Sequence, residues 1–322
     1  MRIDVQSHIM PAWYASHLAA RRASPRIVRR GGKRVLQVGA WHGLVVPKVT
    51  DIALKLRQMD AAGVDLTVLS PQFPGPERLG AAGIGQARRL NDAIAAICRR
   101  HRDRFVGLCV LPLQNVRAAL EELTRCVQKL DLRGVLLYSN VNGKPLDEPA
   151  FEPLFARAAA EGIPLCLHPT YPVVAEHTAA YDLTAGVGFM FDTTLAAIRL
   201  IMHGTFERHP GLRVVLPHTG GTLPYLITRI DHQVATLGRG AEKIRKPPSE
   251  YLRAMWTDTV APGPLNLEFA LKVWGPDRVM FASDHPWLDI QLFVDLVERA
   301  NLPPADKAKV FAENARSLFR IN

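Results

Sequence analysis

The sequence predicts an α/β protein, a single (β/α)₈ TIM barrel with a small β-hairpin or loop insertion after its first strand. Three observations support this fold class. The 322 residues suit one large α/β barrel with insertions. Short apolar strands alternate with amphipathic helical stretches, which is the order of βα units around a parallel sheet. Eight such strands follow one another without a repeat or linker, so one domain is expected over residues 1–322.

Local sequence signals give the bounds of each predicted element. Strands are predicted at residues 2–7, 66–70, 105–111, 134–139, 164–167, 213–216, 255–258 and 278–282. Helices are predicted at residues 51–62, 86–100, 116–129, 152–161, 192–208 and 266–273. Gly63 and Gly162 each stop a predicted helix shortly before the next strand, because glycine adopts the left-handed conformation that ends helices.

Residues 12–48 are predicted to form a cap-like insertion in the barrel. Residues 26–38 contain two β-like runs around Arg30-Gly31-Gly32-Lys33, which predicts a hairpin. A long excursion directly after a barrel strand lies on the catalytic face and often covers it.

Composition argues against several other classes of protein. The net charge is +10, but Lys and Arg are scattered over helix faces, which favours attraction of small carboxylates over nucleic-acid binding. No run of about 18 uncharged apolar residues predicts a membrane span. Residues 1–6 enter a strand without a signal-peptide pattern, so a cytoplasmic location is expected. The four cysteines show no C-x-x-C pair and are predicted to be buried, reduced thiols: Cys98, Cys109, Cys126 and Cys166.

Four polar residues close predicted strands and indicate a reaction centre. His8 follows strand one, His168 strand five, His218 strand six and Asp284 strand eight. Active sites of (β/α)₈ barrels lie at these carboxyl ends, and histidines with a carboxylate suit Zn²⁺ or a similar divalent ion. A lone histidine at a strand end is more often a structural residue, but four polar residues at one rim make a purely structural account weak.

The chain resembles the amidohydrolase family 2 branch of the amidohydrolase superfamily, the branch that contains 2-amino-3-carboxymuconate-6-semialdehyde decarboxylase. The resemblance extends over nearly the whole chain. It rests on Ile3-Asp4-Val5-x-x-His8, Met59-Asp60-x-x-Gly63-Val64-Asp65, Asp103-Arg104-Phe105, Leu111-Pro112-Leu113-Gln114, Gly134-Val135, Ser139-Asn140-Val141-Asn142-Gly143, Leu167-His168-Pro169, His218-x-Gly220-Gly221, Arg229-Ile230-Asp231 and Ser283-Asp284-x-Pro286.

The resemblance implies one divalent metal, zinc being expected and manganese an alternative. His8, His168 and Asp284 match metal ligands of the family. His218 matches the histidine that orients or deprotonates the metal-bound water, and Asp284 can share that role. Gln6 stands where the family has the first histidine of a His-x-His motif.

Gln6 is the main departure from the family pattern, since an amide oxygen is a weaker ligand than imidazole. Three outcomes stay open. The metal can be held by the other three ligands and completed by Gln6 or water. The site can be metal-free, as in some lactonases of the superfamily. The barrel can also be non-catalytic.

The resemblance assigns Arg229 to a substrate carboxylate, whereas the residues alone also allow a structural salt bridge with Asp231 or another carboxylate. A second substrate arginine has no clear equivalent before the helix at 51–62. The remaining substrate-binding candidates are predicted near the mouth of the barrel: Trp41, His42, Lys48, Asn140, His285 and Trp287. His285 can instead pack in the interior, and Asn140 can simply close a turn.

The function predicted is metal-dependent, non-oxidative decarboxylation of a small unsaturated or aromatic carboxylic acid, with metal-bound water activated by His218. The alternatives are hydrolysis of a lactone, ester or amide at the same site, with or without metal, and a non-catalytic binding barrel. The predicted partner is a small carboxylate-bearing substrate, with no nucleic acid and no membrane. A homodimer is expected from the resemblance alone.

Overall fold

The structure is a computed structural model that describes residues 1–321. Its strands are β1 (Ile3–Ile9), β2 (Arg26–Arg30), β3 (Lys33–Val38), β4 (Trp41–Leu44), β5 (Leu66–Pro71), β6 (Phe105–Gly107), β7 (Val135–Tyr138), β8 (Asn140–Val141), β9 (Lys144–Pro145), β10 (Leu165–His168), β11 (Val214–Leu216), β12 (Trp256–Asp258) and β13 (Val279–Met280).

The α-helices are α1 (Ala12–Ala20), α2 (Ile52–Ala61), α3 (Gly83–Arg100), α4 (Val116–Lys129), α5 (Glu152–Glu161), α6 (Ala175–Thr178), α7 (Phe189–Met202), α8 (Thr205–Arg208), α9 (Leu223–Leu237), α10 (Pro248–Ala254), α11 (Pro264–Trp274), α12 (Ile290–Arg299), α13 (Pro304–Ala308) and α14 (Asn314–Phe319). Short 3₁₀ turns lie at Pro47–Val49, Pro76–Ala82, Pro149–Phe151, Ala180–Asp182 and His218–Gly220, and π-helical turns at Thr184–Gly188 and Lys309–Glu313.

The eight predicted strands are present and run parallel in two sheets. One sheet has the order β1-β5-β6, and the other has the order β7-β10-β11-β12-β13. Isolated parallel bridges connect their edges, Cys109 with Val135 and Ser7 with His285. The strands therefore follow one another in chain order, which brings their carboxyl ends to the same side of the molecule.

Three predicted elements need correction. The strand predicted at 105–111 ends at Gly107, and the one predicted at 278–282 is only β13 long. The helix predicted at 192–208 is two helices, α7 and α8, because Gly204 between them has a left-handed φ of 74°.

Local signals explain where several helices begin and end. The side chain of Asp51 accepts a hydrogen bond from Leu54 N at 3.0 Å at the start of α2. Asn115 caps α4 in the same way. Gly63 (φ 64°) and Gly162 (φ 63°) follow α2 and α5 in the left-handed conformation, as predicted from their positions before strands.

The segment between β1 and α2 contains α1 and a three-stranded antiparallel sheet. Strands β2 and β3 pair through Arg30 and Lys33, and β4 pairs with β3. Gly31 and Gly32 have φ values of 53° and 75°, the conformation of a tight hairpin turn that glycine tolerates. The side chain of Trp41, at the start of β4, is buried.

One helical stretch of the described residues, Thr184–Met202, is long and apolar enough to cross a membrane by length and composition alone. The stretch contains Asp192, whose buried carboxylate accepts hydrogen bonds from Ser139 and Asn140. A core helix of a soluble protein passes the same test.

Candidate active site

The polar residues predicted at the strand ends converge in the structure. Ligand atoms of His8, His168 and Asp284 all lie within 4.8 Å of one another. Nε2 of His218 lies 3.9 Å from Oδ2 of Asp284. Nε2 of Gln6 lies 3.4 Å from Oδ1 of Asp284 and 3.3 Å from Nε2 of His218. All five residues therefore belong to one cluster.

The backbone around this cluster adopts conformations that non-glycine residues rarely take. His218, Thr219 and Asp284 have φ values of 58°, 51° and 54°. Such left-handed residues cost free energy and concentrate at functional sites. Gly220 (φ 85°) completes the turn, and a Cβ atom there would lie 2.4 Å from the ring of Trp274. The sequence His218-Thr219-Gly220 thus presents the histidine on a tight turn that needs glycine.

In His8 and His168, a hydrogen bond at Nδ1 orients the imidazole so that Nε2 points towards the cluster. Nδ1 of His168 donates to Pro169 O at 2.7 Å, which leaves Nε2 with a lone pair. Nδ1 of His8 lies 2.7 Å from Ser70 Oγ, and that hydroxyl donates to Ser7 O. With Nδ1 of His8 as the donor, its Nε2 faces Asp284 Oδ1 at 3.1 Å as a second acceptor.

Nε2 of His8 and Oδ1 of Asp284 are then two acceptors that face each other, and Nε2 of His168 adds a third lone pair. A cation satisfies such a set of lone pairs, so the three side chains fit a metal. Two imidazole nitrogens and one carboxylate are ligands that divalent zinc and manganese accept. His8, His168 and Asp284 could therefore hold a divalent metal.

The ionisation states agree with this ligand set. Burial lowers the pKa of His168 to about 3, so its imidazole is neutral. Burial alone would raise the pKa of Asp284. Interactions with the imidazoles of His218 and His8 outweigh burial and hold the pKa of this carboxyl well below its ordinary value. Asp284 is thus a carboxylate.

His218 lies between two acidic side chains. Burial would lower its pKa, but the negative charge of Asp284 raises it, and the charge of Asp258 adds to this. Asp258 ends β12, and its Oδ1 accepts from Thr219 N at 3.3 Å and Val260 N at 3.0 Å. Burial raises the pKa of Asp258 to about 6. Sequence reasoning missed Asp258, although it ends the strand predicted at 255–258 and met the same criterion as the other four.

The cluster opens onto a cavity of about 520 Å³ with one aromatic wall. Trp41 is the centre of that wall. Its ring centroid lies 5.5 Å from that of Phe73, 6.0 Å from that of Phe189 and 6.2 Å from that of Trp287. We call Trp41, Phe73, Phe189 and Trp287 the aromatic wall. The cavity thus combines a polar metal-binding end with a surface suited to a planar ring.

The substrate-binding candidates divide by their position relative to this cavity. Trp41 and Trp287 line it. His285 is 1% exposed and faces α2, where Lys55 Nζ lies 2.6 Å from its Nδ1 and Gln58 Oε1 lies 2.8 Å from its Nε2. Asn140 has its amide engaged by Asp192 and by the backbone of Tyr171 and Gly143.

The other three candidates also lie outside the cavity lining within residues 1–321. His42 is half-buried on β4, and Lys48 is half-buried in the turn before α2. Arg229 is exposed on α9. In the described part of the chain it forms no ion pair with Asp231, whose carboxylate accepts from Ser249 N at 2.9 Å.

Sequence reasoning missed most of the apolar lining and three polar residues of the cavity, Gln72, Thr219 and Asn266. Gln72 and Phe73 directly follow β5, so the end of the strand predicted at 66–70 was an available signal. Phe189 and Met190 come from α7, and nothing in their local sequence places them beside β10.

A family model that matches nearly the whole chain identifies the family. Residues 3–321 match the family model described as "Amidohydrolase". The chain belongs to the amidohydrolase family. It is 32% identical to gamma-resorcylate decarboxylase of Rhizobium sp. (strain MTP-10005) over 303 residues, which cover 85% of this chain and 88% of the relative. It is 32% identical to 2-amino-3-carboxymuconate-6-semialdehyde decarboxylase of Dictyostelium discoideum, covering 74% of this chain and 67% of the relative.

Solved structures give the same result. The crystal structure of 5-carboxyvanillate decarboxylase from Sphingomonas paucimobilis superposes with a TM-score of 0.89 at 28% identity and covers 100% of this chain and 99% of the other. Dihydroxybenzoic acid decarboxylase from Polaromonas sp. JS666, solved with manganese and the inhibitor 2-nitroresorcinol, superposes with a TM-score of 0.82 at 25% identity, covering 100% and 97%.

These amidohydrolase-family relatives confirm four predictions. They confirm the α/β barrel fold class, the membership of the amidohydrolase superfamily and the enzymatic nature of the chain. They also confirm the main functional prediction, a metal-dependent, non-oxidative decarboxylase.

Proposed function

We propose that this amidohydrolase-family enzyme releases CO₂ from a small aromatic carboxylic acid. One observation supports this most directly. A cluster of two histidines and an aspartate, of the type that binds a divalent metal, opens onto a cavity walled by four aromatic side chains. The aromatic wall can hold a planar ring, while the polar end is suited to its carboxylate and to proton transfer.

The reaction exchanges a carboxylate for a proton on one ring carbon. The carbon accepts a proton, the bond to the carboxylate breaks, CO₂ leaves with no net oxidation, and the ring regains its aromaticity. We assign the proton transfer to His218 and Asp284, whose side chains lie together at the polar end of the cavity. The metal, when bound by His8, His168 and Asp284, supplies positive charge that binds the substrate and polarises it.

We propose manganese or zinc as that ion, with the amide oxygen of Gln6 completing the ligand set. The Polaromonas relative contains manganese, which supports manganese at least as strongly as zinc. Gln6 currently presents its amide nitrogen to Asp284, and rotation of the amide by a half turn would present the oxygen instead.

Decarboxylation is tested by CO₂ release from a panel of hydroxybenzoates and lactones with the manganese- or zinc-loaded protein. We expect CO₂ from at least one hydroxybenzoate. The variant His218→Ala should lower kcat/KM by about 10²- to 10⁴-fold, the usual contribution of a general acid or base. His101, which directly follows α3 and lies outside the cavity lining among residues 1–321, provides the control, since His101→Ala should keep full activity. Lactone hydrolysis without CO₂ would instead support the hydrolase alternative, and full activity after chelation would support the metal-free one.

We further propose that residues 12–48 act as a cap, because Trp41 from β4 is the centre of the aromatic wall. The two sheets and their connecting bridges are proposed to act as one closed barrel below this cap. The candidates His42 and Lys48 both belong to the cap. A substrate role for them, for Asn140 and for His285 stays a prediction. So does the cytoplasmic location.

We propose a homodimer formed through the faces of α7 and α9. Large apolar side chains are exposed there, Tyr225 at 80%, Phe191 at 48% and Leu195 at 44%. Arg229 lies one turn after Tyr225 on α9. If Arg229 binds the substrate carboxylate, it must do so from the partner subunit, because it does not line the cavity of its own chain among the described residues.

Subunit mixing tests this dimer. Arg229→Ala and His218→Ala should each be inactive alone. After random exchange of subunits, half of the dimers combine both variants, and each such dimer has one intact site. We expect recovery of about a quarter of the wild-type activity, as the symmetry of a closed dimer dictates. No recovery, or a wild-type monomer in solution, would contradict the proposal.

A further inference from the structure

Gln72 has a buried side chain whose hydrogen-bonding capacity is unused. The residue follows β5 and lines the cavity, yet it is only 1% exposed. Neither its Oε1 nor its Nε2 has a hydrogen-bond partner within residues 1–321. Its backbone is fixed, because Gln72 N donates to Ile9 O of β1 at 2.9 Å. The side-chain amide therefore lies beside the cavity without a hydrogen-bond partner among residues 1–321.

An unpaired buried amide is costly, so native proteins nearly always satisfy one. A carboxamide has two N–H donors and a carbonyl acceptor. A hydroxyl group is its natural complement, because one oxygen both accepts from the nitrogen and donates to the carbonyl. The occupant of the cavity is the available source of such a group.

The other polar side chains of the lining are already committed or exposed. His168, His218 and Asp284 belong to the cluster around the metal site. The hydroxyl of Thr219 donates to the carbonyl of His218 at 2.7 Å, and Asn266 is exposed. Gln72 instead adjoins Phe73 of the aromatic wall. The cavity thus has a second polar point, next to the surface proposed to hold the ring.

We propose that Gln72 is a specificity-determining residue, whose amide hydrogen-bonds a ring hydroxyl of the substrate. This inference rests on the proposed function in that it assumes an aromatic acid in the cavity. It adds that the enzyme selects among hydroxylated rings through Gln72, independently of the group that faces the metal. A site built to hydrogen-bond a hydroxyl discriminates strongly against the analogue that lacks it, because its own polar group is then left unpaired.

The catalytic test compares Gln72→Met with the wild type on 2-hydroxybenzoate and on the isomeric dihydroxybenzoates. Methionine has a similar length but no hydrogen-bonding amide. We expect the wild type to prefer at least one dihydroxybenzoate by about 10-fold or more in kcat/KM. The variant should reduce that preference to within about threefold while metal content stays unchanged. A preference that persists in the variant overturns the inference.

A binding test separates this inference from the proposed reaction. Calorimetry measures the dissociation constants of the isomeric benzenediols and of phenol, for which no carboxylate and no turnover are needed. We expect tighter binding of one benzenediol than of phenol by the wild type, and loss of this difference in Gln72→Met. Gln86→Met is the matched control, since Gln86 also has an unpartnered side-chain oxygen but lies outside the cavity.

Together, the two tests show whether the proposed reaction or the proposed role of Gln72 is wrong. A benzenediol preference that depends on Gln72 supports the inference even if no carboxylate is decarboxylated, in which case only the proposed reaction fails. Decarboxylation with equal selectivity in wild type and Gln72→Met supports the reaction and overturns the role of Gln72. Equal loss of selectivity in Gln86→Met also overturns it, because the effect would then not be local to the cavity.

Discussion

Replacing Asp284 with asparagine is expected to remove the bound divalent metal and to lower kcat/KM by at least about 10³-fold, since a catalytic metal supplies several kcal/mol. Asp284 is the sole carboxylate in the described group of metal-binding residues. Its substitution leaves two neutral imidazoles, which bind a divalent ion much more weakly. Elemental analysis after loading with manganese or zinc measures the stoichiometry, and CO₂ release measures turnover.

Asp258→Asn is the matched comparison for metal content. Asp258 is likewise an aspartate at a strand end and is fully buried, but it lies outside the metal-binding group among residues 1–321. We expect one equivalent of metal in Asp258→Asn and substantially less than one in Asp284→Asn. Retention of a full equivalent in Asp284→Asn would show that the ligands have been assigned wrongly, whatever the activity.

Replacing Lys55 with methionine is expected to lower the free energy of unfolding by about 3–5 kcal/mol, the cost of leaving a buried charge without its partner. Lys55 is 0% exposed, and its Nζ lies 2.6 Å from both Ser7 Oγ and His285 Nδ1. Its positive charge also faces Asp4, which is equally buried. Burial lowers the pKa of Lys55, and the attraction of Asp4 opposes that shift. Urea denaturation of the metal-free protein measures the change.

Two further variants separate the charge effect from a general effect of substitution. Lys129→Met removes an exposed lysine from α4 and should change stability by less than about 0.5 kcal/mol. Combining Lys55→Met with Asp4→Asn removes both buried charges. The free energy of unfolding of the double variant should therefore fall by less than the sum of the two single losses. Strict additivity of the two substitutions would mean that the charges do not interact.

The strands and the metal ligands were predictable because their signals are local. An apolar run ending in a polar residue gives the strand and the position of the side chain at the same time, as for His168 after β10. Parallel strands of a barrel then bring such residues together regardless of their separation in sequence. This logic found His8, His218 and Asp284, and it would have found Asp258 if applied to strand seven.

The rest of the site depends on contacts that no local pattern encodes. His285 follows Asp284 directly, but its ring turns to the buried Lys55 instead of the cavity. Asn140 is occupied by Asp192, which lies 52 residues further along the chain. Phe189 lines the cavity because the first turn of α7 lies beside it. Positions of this kind are set by tertiary packing, which strand and helix periodicity do not report.

The cavity is formed by two parts of the molecule, the barrel strands and the three-stranded unit of β2, β3 and β4. The groups proposed to do the chemistry are anchored to barrel strands, whereas Trp41 belongs to a separate three-stranded unit. Changes in that unit can reshape the space available to a ring without disturbing the strands that hold His8 and His168. Substrate range and reaction chemistry are therefore open to independent selection, and a library restricted to residues 12–48 is a rational starting point for altering the former.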